Sequence, residues 1–360
     1  KMKGRATKLF SFNGLQREPI EEGFAGDIVA LAGYDSVNIG DTLTAASDPT
    51  PLEYVDLDKP TIAMYFRVNN SPFAGLEGKF VTSNQIKDRL EREVRTNVAM
   101  RVEATDSPDV FKVSGRGELQ MAILIETMRR EGFEFSVSRP EVLFQEIDDV
   151  IHEPVEEVVV DVLTDYSNKV IDNLQKRKGI MQGMSQEGEN NRIEFRVPSR
   201  GLIGFRGEML TETRGTGIMH QQFDGYEPYA GEIPGRTRGA LIALEKGDVT
   251  GYALEGVQDR GTFFVEPGDS VYMGMVVGTN NRSDDMVVNV AKKKALTNHR
   301  ASITADSIKI SQAKKMSLEE CIEFIANDEL LEVTPESLRI RKKFLDHNER
   351  KREEKKKAGV

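Results

Sequence analysis

The chain has 360 residues, 38% of them hydrophobic and 30% charged, and a formal net charge of −10. At roughly 100–200 residues per domain this is enough for several ordinary cores, and no run approaches the roughly 20 apolar residues that cross a bilayer. The acidic balance excludes a protein that coats nucleic acid non-specifically, although net charge says nothing against a local basic patch. A single cysteine, Cys321, rules out an intramolecular disulfide and suits a reducing compartment. No apolar stretch follows Lys1-Met2-Lys3-Gly4-Arg5, so no secretory signal is read there, and a cytoplasmic location without membrane association is expected.

Residues 1–55 read as β structure: Lys8-Leu9-Phe10-Ser11-Phe12 alternates, Asn13-Gly14 is a turn signal, and Asp27-Ile28-Val29-Ala30-Leu31 follows Gly23 and Gly26. This is too short to close a barrel, so a partial barrel is expected, with chain missing upstream. Its absent strands would leave edges unpaired and the remnant poorly ordered.

After Asp48-Pro49-Thr50-Pro51, residues 56–145 form a second predicted unit. A strand over 61–68 precedes a helix over 83–96 with Ile86, Leu90 and Val94 on one face. Strands follow near 100–104 and 110–113. A helix over 117–130 then carries Met121, Leu124, Ile125 and Met128 at i, i+3, i+4, i+7, Gly132 ends it, and 133–137 alternates as a strand. The order β-α-β-β-α-β is that of a ferredoxin-like sandwich.

Residues 146–230 repeat the order, with a strand over 155–162, a helix over 168–178, a hairpin around Met184 and 193–197, a helix from near Gly201 and a strand over 219–223. From residue 231 to 360 short β-like runs punctuated by Gly extend to about Val290. A basic loop follows, then a strand over 307–310 and a helix opened by the capping box Ser317/Glu320. Thr334-Pro335 predicts a final helix, and the charged tail beyond Arg350 is expected to fray. The fold class read from the sequence is therefore α+β and multidomain: a partial β-barrel, two tandem ferredoxin-like sandwiches, and a mostly β C-terminal domain with terminal helices.

No catalytic constellation emerges. Gly75-Leu76-Glu77-Gly78-Lys79-Phe80 lacks the spacing and hydroxyl of a phosphate-binding loop, and Asn168-Lys169-Val170-Ile171-Asp172 is one residue too long for a guanine-specificity motif, so GTP binding is not expected. Gly115-Arg116-Gly117-Glu118 reads as a tight strand-to-helix turn, because Glu118 would stand where a pyrophosphate should sit. His152, His220, His299 and His347 make no metal spacing, and Cys321 reads as a core thiol.

The basic residues are more informative. Lys292, Lys293 and Lys294, followed by Asn298, His299 and Arg300, fall where a loop is expected. Lysine and arginine gain affinity by releasing counterions from phosphates, and Asn and His add hydrogen bonds to bases or 2′-hydroxyls. The alternative is a solvated charge run. Lys176, Arg177, Lys178, Arg200, Arg206 and Arg214 mark a candidate basic end on the second sandwich, and Arg236 and Arg238 follow it.

Four regions carry a resemblance. Ser114-Gly115-Arg116-Gly117-Glu118-Leu119-Gln120 with Arg129-Arg130-Glu131-Gly132 is similar to domain III of elongation-factor-G-like proteins. Leu174 to Gly179 with Val197-Pro198-Ser199-Arg200-Gly201-Leu202-Ile203-Gly204 resembles domain V, and Ala25 to Ala30 with Ile39 to Leu43 resembles half of the domain II barrel. The continuation through Gly235-Arg236-Thr237-Arg238-Gly239 and Lys292 to Arg300 resembles the C-terminal domain of BipA/TypA-type translational GTPases. The resemblance implies a ribosome-binding role at the factor site, with large-subunit rRNA and A-site tRNA as partners, in subunit assembly and in growth under cold or stress. It implies that the loop bearing Lys292 to Arg300 touches RNA. It also implies that hydrolysis, with GTP and magnesium, resides in a GTPase domain joined in cis in the full-length family, no cofactor being expected in this chain. A LepA-like elongation factor would need a shorter C-terminal domain. An RNA-modifying enzyme on ferredoxin-like domains would need a pocket of convergent titratable groups.

Overall fold

The computed structural model describes residues 4–34, 37, 39–53, 60–233, 235–293 and 310–357. These form a mixed α+β protein with several sheets and no closed barrel among the described residues. The chain divides into two units, Lys1–Leu57 with Arg92–Val98, and Asp58–Glu91 with Ala99–Val360.

In the smaller unit β1 (Lys8–Asn13), β2 (Gln16–Pro19) and β3 (Val29–Ala32) make an antiparallel sheet in the order β2-β1-β3. Gly14, at φ +61°, opens the two-residue turn between β1 and β2, where a side chain would be strained. Phe12, Leu15, Phe24 and Ile28 stay exposed, so this sheet buries little apolar surface.

The larger unit begins with β4 (Ile62–Val68), α1 (Ser83–Thr96, within this unit as far as Glu91), β5 (Arg101–Ala104), β6 (Val110–Gly115), α2 (Glu118–Arg130) and β7 (Phe135–Val137). β8 (Glu141–Val142) pairs with the start of β4. The four main strands lie antiparallel in the order β7-β4-β6-β5, and Ile86, Leu90, Met121, Leu124, Ile125 and Met128 pack beneath them. Those are the helical positions that the apolar spacing selects. Gly132, at φ +96°, closes α2: its N–H reaches the Arg129 carbonyl and the Phe133 N–H reaches that of Met128, a Schellman arrangement.

The second sandwich has the same order with longer strands. β9 (Gln145–Ile147), β10 (Val150–Leu163), α3 (Thr164–Lys176), β11 (Ile180–Glu187), β12 (Asn190–Pro198), α4 (Ser199–Leu202), α5 (Phe205–Glu212) and β13 (Ile218–Pro228) give a sheet ordered β11-β12-β10-β13. Its core is separate, built on Val158, Val160, Val170, Leu174, Phe195 and Phe205. The single helix expected from Gly201 is two: Gly204, at φ +75°, breaks α4 from α5.

Beyond it, β14 (Ala240–Ala243), β15 (Gly247–Asp248), α6 (Gly251–Val257), β16 (Gly261–Phe263), β17 (Ser270–Val271), β18 (Val276–Asn280) and β19 (Met286–Val288) build a small sheet ordered β16-β18-β14-β19 and the pair β15-β17. α7 (Leu318–Phe324), β20 (Glu329–Val333), β21 (Leu338–Lys342) and α8 (His347–Lys357) complete the chain.

Two expectations for this final stretch need correction. Thr334-Pro335 does not start a helix. The Thr334 N–H donates to the Ser337 carbonyl across the turn that joins β20 to β21, with Pro335 at its second position. Fixed φ suits proline to that place as well as to the first turn of a helix. The last helix begins at His347, and the charged tail beyond Arg350 is helical as far as Lys357. The strand expected over 307–310 lies mostly outside the described residues.

The hairpin's position was not foreseen. β20 pairs with β7, so one sheet runs β21-β20-β7-β4-β6-β5. α7 inserts Leu318, Cys321 and Ile322 into the first sandwich's core, and its capping box forms as expected.

Candidate nucleic-acid interface

The added hairpin brings buried carboxylates with it. The Glu332 carboxylate is fully buried and accepts from Asn69 Nδ2 at 2.9 Å, Ser71 Oγ at 2.8 Å, the Tyr272 hydroxyl at 2.7 Å and Arg339 at 3.3 Å. Glu329, also fully buried, receives two 3.0 Å bonds from Arg236 and faces Lys342 Nζ at 3.0 Å. Lys342 Nζ also meets Asp285 at 2.5 Å and Asp328 at 2.7 Å. Burial works against the Lys342 ammonium, but Glu329, Asp328 and Asp285 overcome it and raise its pKa.

The same chemistry answers the loop that looked closest to a phosphate cradle. The N–H groups of Gly75 and Gly78 both donate to the Glu134 carboxylate, at 2.7 and 2.9 Å. A side chain of the protein already occupies the anion position, and the residues do not fit a nucleotide phosphate. Gly115 to Glu118 is likewise taken up internally: Arg116 N–H donates to Gln120, and Glu118 accepts from the Gly204 N–H at 3.1 Å. Burial pushes the Cys321 thiol up to about 12, which leaves no thiolate for chemistry at neutral pH. Among the described residues no cluster of His, Cys, Asp and Glu is suited to a metal, and no helix is long and apolar enough to cross a membrane.

The basic residues singled out from sequence fall into two groups. Arg177, Arg200 and Arg236 serve as internal braces. Arg177 spans the α4–α5 break, donating to the carbonyls of Gly201 at 2.8 Å and Ile203 at 3.0 Å and to Glu208 at 2.6 Å. Arg200 pairs with the buried Glu153 and stacks over Tyr229, 4.5 Å from the ring centre. Arg236 holds Glu329 and lies 4.2 Å from the centre of the Phe324 ring. Removing Arg200 or Arg236 would strand a buried carboxylate, and because these partners lie far off in the chain, sequence could not separate structural use from RNA contact.

Lys176, Lys178, Arg206, Arg214, Arg238, Lys292 and Lys293 are exposed. Lys176 and Lys178 flank Arg177 at the end of α3, and because Arg177 ties that end to the start of α5, Arg206 shares their end of the sandwich. Arg214, at φ +53°, lies past the opposite end of α5. Thr250 donates to the Lys292 carbonyl at 2.6 Å, anchoring the entrance of the basic loop. Lys294, Asn298, His299 and Arg300 lie outside the described residues.

A cleft of about 380 Å³ is lined by Arg139 from the first sandwich and by C-terminal residues that include Arg236, Arg238, Asp285, Glu323 and Lys342. Arg139 was not singled out from sequence, since a lone arginine beside Pro140 carries no motif.

Comparison with known proteins matches this architecture to two domain families. Residues 150–237 match the elongation factor G C-terminus, and residues 238–347 match the TypA/BipA C-terminal domain. The chain belongs to the BipA/TypA family. It is 50% identical over 360 residues to the large ribosomal subunit assembly factor BipA of Bacillus subtilis (strain 168), covering 99% of this chain and 59% of that protein. Proteins of the same name from Synechocystis and Haemophilus influenzae are 49% and 48% identical over 94% and 97% of the chain, which spans 57% of each. The chain thus corresponds to a little over half the length of these relatives.

Proposed function

We propose that this chain is the ribosome-binding portion of a large-subunit assembly factor, contacting rRNA and A-site tRNA at the factor site. The observation that carries this reading is its match, over 99% of its length, to a protein named for large-subunit assembly. The exposed cations support it. Lys176, Lys178 and Arg206 sit on one braced end of the second sandwich, and Lys292 and Lys293 open a basic stretch of sequence that runs to Arg300. On this reading Lys294, Asn298, His299 and Arg300 contribute to the same RNA contact, and Arg214 and Arg238 add peripheral phosphate contacts. The shared strand order of the two sheets supports reading both units as ferredoxin-like sandwiches.

GTP and magnesium then act in a GTPase domain joined in cis in the full-length protein, which works in the cytoplasm during assembly and during cold or stress growth. The test is co-sedimentation with large ribosomal subunits across a salt series, comparing the chain with its Lys292→Ala/Lys293→Ala/Lys294→Ala variant. Salt-sensitive pelleting that the variant weakens is expected. Pelleting unchanged by the variant would move the contact to Lys176, Lys178 and Arg206. No pelleting at low salt, even when the full-length protein carries a GTP analogue, would overturn the reading.

A further inference from the structure

We infer that the cleft walled by Arg139, Arg236 and Arg238 is an oxyanion site that takes a backbone phosphate of RNA, an inference that rests on the ribosomal reading above. Its 380 Å³ has room for a phosphate and its sugar, and its walls come from two parts of the fold. Arg139 follows β7 of the first sandwich, whereas Arg236 and Arg238 precede β14. A ligand held there would add a contact to parts already joined by the pairing of β20 with β7.

The charge arrangement is unusual for a merely structural cleft. Asp285, Asp328 and the buried Glu329 are spent on Lys342 and Arg236, as the distances above show. The Arg139 guanidinium has no hydrogen-bonded or ion-paired partner among the described residues, and the residue is half-buried. Burial, and then the neighbouring Arg236 charge, lower its pKa, with only Glu141 acting the other way. Arg236 is already met by Glu329, so the desolvated and unpaired Arg139 guanidinium is the one that carries a cost in the free protein, and an oxyanion beside it would relieve that cost. Guanidiniums also match phosphate oxygens with paired N–H donors, which a lysine does not. Arg238 stands exposed on the rim, where it can reach an approaching strand. Glu323 is the one carboxylate of the lining with no cation bound to it among the described residues. Burial and the nearby Glu118 charge push it up to about 7, so it is partly neutral at physiological pH.

The test uses the full chain and a fluorescently labelled ten-nucleotide uridine RNA, with anisotropy read across a salt series. Arg139→Gln and Arg238→Gln are the variants. Arg236 is left alone because its loss would strand the buried Glu329. The expected result is a roughly fivefold to tenfold loss of affinity for each variant, with the log–log salt slope shallower by about 0.7. Arg139→Gln should melt within about 2 °C of the parent, because no partner is lost. Equal binding by parent and both variants would overturn the inference. So would a clear drop in melting temperature for Arg139→Gln, which would make Arg139 a structural residue. A parent that fails to bind the RNA, yet binds millimolar inorganic phosphate through Arg139, would reassign the cleft to a free phosphate compound and overturn the RNA assignment. Subunit co-sedimentation separates the two readings. A parent that pellets with subunits but does not bind the RNA sinks only the cleft, whereas RNA binding without any pelleting sinks only the ribosomal role.

Discussion

The two sandwiches share a strand order and differ in how they are finished. The second closes on its own apolar core, and its edge strand β11 leaves Ile180, Met181 and Met184 exposed. The first is extended at β7 by a hairpin arriving from almost two hundred residues downstream, and that junction is held by fully buried carboxylates. Identical topology therefore does not imply equivalent energetics. One sandwich closes on a local apolar core and its own charge pairs, and the other is extended by charge pairs that only the folded C-terminal region can satisfy.

The sharpest way to break this contrast is to remove a buried carboxylate at the junction. Glu332→Ala strands donors on Asn69, Ser71, Tyr272 and Arg339, and should cost about 3–5 kcal/mol in a urea melt. A loss below about 1 kcal/mol would show that the hairpin is only loosely attached. Next, Lys342→Met leaves Asp285, Asp328 and Glu329 without their ammonium, and about 2–4 kcal/mol is expected by the same measurement. Tyr272→Phe removes one hydroxyl from the Glu332 carboxylate, and a loss of about 1–2 kcal/mol is expected.

A smaller effect should appear with pH. The Glu323 carboxyl, which stays open to solvent on one side, is raised in the fold from 4.5 to about 7 by burial and by Glu118. The folded state therefore holds this proton more tightly than the unfolded chain. The associated stability is fully present below about pH 4.5 and is lost as pH rises through about 7. Glu323→Gln should melt about 1–3 °C above the parent at pH 8 and show no gain at pH 4.5, as followed by thermal scans. A gain of equal size at both pH values would rule out the proton. Smallest of all, Ile180→Thr on the exposed edge of the second sheet should move stability by less than about 0.5 kcal/mol, in keeping with a core that ends short of that edge.

Legibility followed the same division. In the second sandwich Val170 and Leu174 were placed correctly by helical spacing, and the valine run over 155–162 marked its central strand. In the C-terminal region Glu329-Leu330-Leu331-Glu332-Val333 is buried along its whole length, so it shows no polar–apolar alternation. Its two glutamates carry no local sign of burial, and Thr334-Pro335 fits a helix start as well as a turn. Among the candidate site residues, sequence supplied the positive charge but could not tell the braces Arg177, Arg200 and Arg236 from exposed cations such as Lys176 and Arg206.

Local pattern by itself determined the order of elements and the apolar faces of the helices in both sandwiches, the Ser317–Glu320 cap and the Gly132 helix stop, because each depends on residues within a few positions of one another. Only the tertiary structure decided that β20 joins β7, that Glu134 fills the anion position of the Gly75–Gly78 loop, and that Arg139 and Arg236 line one cleft. Those outcomes hinge on which distant groups share a low-dielectric space. Whether a carboxylate or guanidinium is tolerated there depends on its partners, which no local stretch of chain contains.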